Sequence, residues 1–155
     1  MPRSGKVEKG RDIKIDPLYK NALVARLIRS IMYEGKLSVA TKIVYKAFDI
    51  ISSKGLDPLD VFNQAFKNVC PTLITRPRRV GGAIQQVPVE LNEDRAFVLA
   101  LQWLREAARA RNEKMMSEKL AAEILAAYQN TGAAIKKKED SQKMARSNNV
   151  FAPVL

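Results

Sequence analysis

Apolar residues recur every three or four positions in six segments of this chain, which is the spacing of one buried face on an α-helix. An aspartate followed by proline predicts the start of the first and third helices, because aspartate caps a helix and proline suits its first position. Glycine stops the first, second and fifth helices. The predicted helices run from Asp16 to a stop at Gly35, over about 38–53, from Asp57 to a stop at Pro71, and over about 92–110, 115–129 and 133–148.

Between the third and fourth helices, two strand-like segments flank the pair Gly81-Gly82. Glycine accepts the positive φ of a two-residue turn, so the segment predicts a β-hairpin at about 73–89. Pro77 and Pro88 lie inside it and cannot donate a ladder hydrogen bond, which makes both strands edge strands. We therefore expect a two-stranded ribbon that protrudes from the helices and is only marginally stable until it docks.

The fold class predicted from these elements is mainly α, a bundle of about six helices with a protruding two-stranded β-hairpin between the third and fourth. The length of 155 residues fits one domain, which we place at 16–155. Residues 1–15 mix basic residues and glycine without a helical period, and we expect a flexible basic N-terminal arm there, an ordinary frayed terminus being the alternative. Trp103 and Tyr128 fall in apolar patterns and are expected in the core, whereas Tyr33 and Tyr45 could also stack on bases.

Charge narrows the class of partner. The chain carries 27 Lys and Arg against 16 Asp and Glu, a net charge of +11, which favours binding to phosphate. The basic residues concentrate in the arm, in the hairpin, at the end of the fourth helix and in the sixth helix, where the run 136–138 could alternatively be an ordinary solvated face.

No apolar run approaches the roughly 18 residues of a membrane span, and the N-terminus lacks the apolar stretch of a secretory signal, so we expect a cytosolic protein without a membrane partner.

Catalysis is not indicated. The chain has no histidine and one cysteine, Cys70, so a histidine base, an internal disulfide and a Cys-rich zinc site are excluded. Cys70 is expected to be a small buried or half-buried thiol. No pair of carboxylates stands out as an acid and base, and we expect no catalytic residue, no metal and no cofactor.

The hairpin segment reads Arg78-Arg79-Val80-Gly81-Gly82 followed by Gln86-Val87-Pro88-Val89-Glu90. These motifs resemble the hairpin signature of the bacterial small-subunit ribosomal protein seven family, and the likeness extends over nearly the whole chain. Other matching pieces are Gly35-Lys36-Leu37-Ser38, Ala100-Leu101-Gln102-Trp103-Leu104, Lys114 with Met116, and Lys136-Lys137-Lys138-Glu139-Asp140. The chain departs from the family pattern at a few positions. Gln102 stands where the family usually has an arginine, and Ser141-Gln142 where it usually has a histidine. Arg146 and Asn149 replace a typical acid and a typical lysine, and Pro77 is unusual for the first strand of the ribbon.

The resemblance implies a structural constituent of the small ribosomal subunit in the cytoplasm. It implies primary binding to the 3′ major domain of the small-subunit ribosomal RNA, which nucleates assembly of the head. It places the hairpin near the exit-site transfer RNA and the messenger RNA exit channel, and makes neighbouring head and platform ribosomal proteins the other partners. It implies neither an enzyme nor a dedicated homo-oligomer.

The site residues expected from the basic groups and the resemblance fall into two sets. The set near the exit-site transfer RNA and messenger RNA is Arg78, Arg79, Val80, Gly81 and Gly82. The set that contacts ribosomal RNA is Arg3, Lys6, Lys9, Arg11, Lys20, Lys36, Arg76, Arg78, Arg95, Arg109, Arg111, Lys114, Met116, Lys119, Lys136, Lys137, Lys138 and Lys143.

Two other classes remain open at the level of sequence. A DNA-binding architectural protein would also combine a helical body with a basic β-arm, although the ribbon tip lacks a clear apolar wedge and no dimer-forming helix is obvious. An enzyme that acts on RNA is the third class, and it lacks a plausible acid and base. Competition between DNA and ribosomal RNA fragments distinguishes a ribosomal RNA-binding protein from a DNA-binding architectural protein.

Overall fold

The computed structural model describes residues 15–80 and 82–148, apart from the side chain of Val80. Within these residues, the chain forms six α-helices and one two-stranded sheet. The predicted fold class is confirmed, with the hairpin between the third and fourth helices. Most of the predicted arm lies outside the described residues. In chain order the elements are α1 (Ala22–Ile31), α2 (Leu37–Ser52), α3 (Pro58–Val69), β1 (Leu73–Val80), β2 (Ala83–Glu90), α4 (Glu93–Ala110), α5 (Met116–Tyr128) and α6 (Ala133–Ser147).

The first helix begins later than the sequence predicts. Asp16 does act as a cap, because its carboxylate accepts hydrogen bonds from the amides of Leu18 and Tyr19 at 3.2 and 2.9 Å. The turn that it caps ends at Lys20, whose φ of 48° is left-handed. A second cap, Asn21, then starts α1 by accepting from the Leu23 amide at 2.7 Å. The predicted helix start at Asp16 is therefore wrong by five residues, since the cap of α1 is Asn21.

A buried hydrogen bond ties this turn to α2. Asp16 is 4% exposed, and the Tyr45 hydroxyl donates to its Oδ1 at 2.9 Å. Burial, together with the hydrogen bond to Asp16, raises the pKa of Tyr45 to about 12. Tyr45 is thus an internal anchor, which removes it from the candidates for stacking on bases.

Replacing Tyr45 with phenylalanine should lower the free energy of unfolding by about 1 kcal/mol at neutral pH, the net contribution of one hydrogen bond. The folded-state pKa lies above the unfolded value of about 10, so this contribution is present below about pH 10 and is lost as the pH rises towards 12. Urea unfolding of both proteins from pH 7 to 11 measures the difference. Tyr33→Phe, at a hydroxyl on an exposed side chain, is the control; a gap that is constant with pH contradicts the prediction.

The core joins all six helices around α5. Leu120 and Ile124 of α5 are fully buried, and α5 packs against α2, α3, α4 and α6. Phe48, Phe62 and Phe66 form a ladder of ring contacts with centroids 5.7 and 6.2 Å apart. Trp103 packs against this core, as predicted. Tyr128 does not: it is 40% exposed, because it is the last residue of α5 and lies past the layer that the neighbouring helices cover.

The hairpin has the predicted form. Its strands are antiparallel, and Val80 pairs with Ala83, so the connection between the strands is two residues long. Gly82 has φ of 88°, a conformation that suits glycine. Only the outer half protrudes, because the base packs against α6: Val87 is 3% exposed, and Gln142 Nε2 lies 3.4 Å from Thr72 Oγ1.

Candidate nucleic-acid interface

The ribbon tip presents cations on both of its faces. Arg76 and Arg78 are two residues apart, so their side chains share one face of the strand, while Arg79 lies on the other. All three side chains are exposed. A ribbon arranged in this way can contact phosphates on two sides at once, or insert between two segments of a folded polyanion.

One apolar side chain accompanies these arginines. Ile84 pairs with Arg79 across the ribbon and is 69% exposed. The tip therefore carries one exposed apolar side chain, where the sequence predicted no clear apolar wedge. Because a side chain of this kind also suits contact with an unstacked base, the exposure of Ile84 does not separate RNA from DNA.

The lysines of α6 divide into two groups with different roles. Lys137 donates to Glu106 of α4 at 2.6 Å, and Lys138 donates to the carbonyl of Asn68 at the end of α3 at 2.6 Å. The hydrogen bond from Lys137 lowers the pKa of Glu106. Both lysines hold α6 to its neighbours. Lys136 and Lys143 are exposed, and since they lie seven residues apart they face the same way, available to an external anion.

The connection from α4 to α5 also contains a cation that is bound within the protein. Arg111 Nε donates to Oε2 of Glu123 at 2.7 Å, and Glu123 is 1% exposed. Glu123 Oε1 accepts from the backbone amide of Ala134 at 3.0 Å, so one buried carboxylate joins this connection to the start of α6. Arg111 also contacts Glu113 at 3.3 Å. This arrangement makes Arg111 first of all a structural residue.

The remaining predicted contacts occupy varied positions. Arg109 and Lys114 are exposed, whereas Met116 is half-buried against the core. Lys119 donates to the backbone carbonyl of Arg109 at 3.5 Å, and the exposed Lys36 pairs with Glu34 at 2.9 Å. Lys20 and Arg95 are exposed. Outside the described residues lie Arg3, Lys6, Lys9 and Arg11 of the arm, together with Gly81 and the side chain of Val80. Contact with RNA remains a prediction for every residue of the expected set.

Three arginines that sequence reasoning missed lie together between two helices. Arg26 and Arg29 of α1 and Arg105 of α4 line a cavity of about 490 Å³, which we call the α1–α4 groove. Its apolar lining comes from Phe97, Val98 and Leu101. The spacing of Arg26 and Arg29 shows that they share a helix face, but no local signal tells that Arg105, more than 70 residues later, joins them.

Metal-ligand and thiol chemistry is limited in the described residues. Among them, no group of three or more Cys, Asp or Glu side chains is placed to hold a metal ion. Cys70 is half-buried, as predicted, and burial raises the pKa of its thiol, which disfavours the reactive thiolate. In the same part of the chain, no helix is both long and apolar enough to cross a bilayer.

Taken together, the fold and the cation pattern define a small, basic, helical protein with a projecting ribbon, of the kind that contacts structured nucleic acid. The family model described as ribosomal protein S7p/S5e matches residues 2–149, and the chain belongs to that family. The resemblance found in the sequence is thereby confirmed.

The chain is similar in sequence to curated relatives over nearly their whole length. The chain is 58% identical over 143 residues to the small ribosomal subunit protein uS7 of Thermotoga petrophila, covering 92% of both chains. It is 56% identical over 153 residues to the protein of the same name from Acetivibrio thermocellus, covering 98% of this chain and 97% of the relative. For the Caldicellulosiruptor bescii protein of that name the identity is 56% over 154 residues, with 98% of both covered.

Proposed function

We propose that this chain is a structural constituent of the small ribosomal subunit in the cytoplasm, where it binds the 3′ major domain of the small-subunit ribosomal RNA and nucleates assembly of the head. Family membership over residues 2–149 is the observation that carries the proposal. The exposed cations support it, since Arg76, Arg78, Arg79, Lys136 and Lys143 form no ion pair with another described residue and can neutralise phosphates.

The cation pattern favours recognition of RNA shape over reading of bases. The exposed arginines and lysines are spread over the ribbon, α6 and the connection from α4 to α5, and α6 packs against the ribbon, α4 and α5. Contacts of this kind fix position and orientation, and an RNA fold that matches their spacing supplies specificity. Neighbouring head and platform proteins would then join the complex of chain and RNA.

A binding assay with the full chain tests the proposal. The labelled probe is a transcript of the 3′ major domain, with unlabelled 5′ domain transcript, 3′ major domain transcript or duplex DNA as competitors. We expect only the 3′ major domain to displace the probe efficiently. Equal displacement by duplex DNA would favour the DNA-architectural alternative, and failure to bind the probe in dilute buffer would contradict the proposal.

The ribbon is proposed to reach the exit-site transfer RNA and the messenger RNA exit channel, not to anchor the chain. Replacing Arg78 and Arg79 together with alanine should change affinity for the 3′ major domain by less than about tenfold, or 1.4 kcal/mol. Subunits reconstituted with this variant should hold deacylated transfer RNA at the exit site about tenfold less well, because two cations at the tip are gone. Filter binding measures both quantities.

The double variant Lys42→Ala/Lys46→Ala is the matched control, because both lysines are exposed on α2 and are absent from the expected contact set. It should change neither quantity. Complete loss of binding to the 3′ major domain in the arginine variant would show that the ribbon is the anchor.

A further inference from the structure

The α1–α4 groove combines an apolar floor with a cationic rim. Val98 is 61% exposed on its surface, next to the half-buried ring of Phe97 and the buried Leu101. The volume of about 490 Å³ lies within the roughly 300–1,000 Å³ of typical small-ligand pockets. An exposed valine beside an aromatic ring is surface that a flat, apolar group can cover.

The charge of the rim is strongly positive. Arg26, Arg29 and Arg105 line the groove with a single carboxylate, Asp94. None of the three guanidinium groups forms an ion pair with any described residue. The guanidinium carbon of Arg26 lies 5.9 Å from the centroid of the Phe97 ring, so cation and aromatic surface are already in contact.

Arg105 has hydrogen-bonding capacity that the described protein does not use. Its Nη1 donates to the carbonyl of Ser30 at 3.3 Å, whereas its buried Nε has no acceptor among the described residues. A buried donor without a partner costs free energy. A small rotation of the guanidinium towards an anionic oxygen in the groove would relieve that cost.

The cavity at the base of the ribbon lacks this complementarity. It is lined by Glu90 and Glu93 against the single cation Lys67, so its rim is net negative. An anionic ligand is therefore directed to the α1–α4 groove and away from the base of the ribbon.

We propose that the α1–α4 groove holds one unpaired nucleotide of the bound ribosomal RNA. The base covers Val98 and Phe97, and the adjoining phosphates contact Arg26, Arg29 and Arg105. A nucleotide is the ligand that combines a flat stacking face with a negative charge at its edge, and stacking on aromatic and guanidinium planes is how proteins take up unstacked bases. The inference rests on the proposed function and adds a contact region outside the ribbon, α6 and the connection from α4 to α5.

Two single substitutions with matched controls test the inference against the 3′ major domain transcript. Val98→Ser removes the apolar surface, and Val39→Ser, at a valine 50% exposed on α2, is its control. Arg29→Glu reverses a rim charge, and Lys46→Glu makes the same change on the exposed surface of α2. Each groove variant should lose about tenfold in affinity relative to its control, within the range of one lost stacked base.

A photo-crosslinking residue at position 98 identifies the occupant. We expect cross-links to one unpaired nucleotide of the transcript. If the wild-type chain binds the transcript but both groove variants match their controls, the inference is wrong and the proposed function stands. Cross-links confined to duplex RNA, or to a protein in the assembled subunit, also overturn it. Failure of the wild-type chain to bind the transcript contradicts the proposed function itself.

Discussion

The affinity of the chain for the 3′ major domain should fall about a thousandfold when salt rises from about 50 to 200 mM. A protein that neutralises about six phosphates releases their condensed counterions on binding, and added salt opposes that release. The net charge is +11. Six exposed residues of the expected contact set outside the ribbon are enough for this number of contacts: Lys20, Arg95, Arg109, Lys114, Lys136 and Lys143. A titration of binding against salt measures the slope.

The same titration separates contacting cations from bystanders. Lys136→Ala/Lys143→Ala should flatten the logarithmic slope by about 1.4 to 1.8, since each lost phosphate contact removes about 0.7 to 0.9. Lys42→Ala/Lys46→Ala, an equal loss of charge on α2, should leave the slope unchanged. A wild-type slope near zero would mean that phosphate contacts do not drive the binding.

Replacing Arg111 with methionine should lower the free energy of unfolding by about 3 to 5 kcal/mol. The carboxylate of Glu123 is 1% exposed and would keep only the amide of Ala134 as a partner, which leaves a buried charge without its counter-ion. Arg109→Met is the control, because Arg109 is exposed two residues earlier and should cost less than about 0.5 kcal/mol. Urea unfolding followed by circular dichroism measures both.

A double variant identifies the cause of that loss. Glu123→Gln keeps an oxygen for the Ala134 amide but carries no charge, so Arg111→Met/Glu123→Gln should recover a large part of the stability lost in Arg111→Met alone. If the double variant is less stable than either single variant, packing of the arginine stem and not the buried charge is responsible.

Local patterns predicted most of the helices because each carries its own signals. The second helix was expected over about 38–53 and spans Leu37–Ser52, since its apolar period and the following glycine are both local. The first helix was misplaced because Asp16 caps an isolated turn, and a lysine with φ of 48° at position 20 is not visible in a sequence. The helix propensity of lysine does not predict a left-handed backbone at that position.

The candidate site was harder to predict than the fold. Arg111 looks like any other arginine of a basic stretch, and only the return of the chain at Gly132 brings the Ala134 amide to Glu123. Gly132 has φ of 96°, and a Cβ there would lie 3.0 Å from that of Ala126 and 3.1 Å from Glu123 Oε1. The α1–α4 groove likewise exists only because α1 packs against α4, a contact between distant segments. Residue type alone cannot tell an internal cation from one that meets RNA.

The two prolines of the ribbon have a consequence for the protein before it meets its partners. Counting back from the pair Val80 and Ala83, which closes the turn, Pro77 and Pro88 both fall at positions whose nitrogen faces outward. Each strand therefore lacks one of the outward donors that another chain would need to extend the sheet. An exposed ribbon is a template for edge-to-edge aggregation, and we expect these prolines to hinder such pairing in copies that are not yet assembled with RNA.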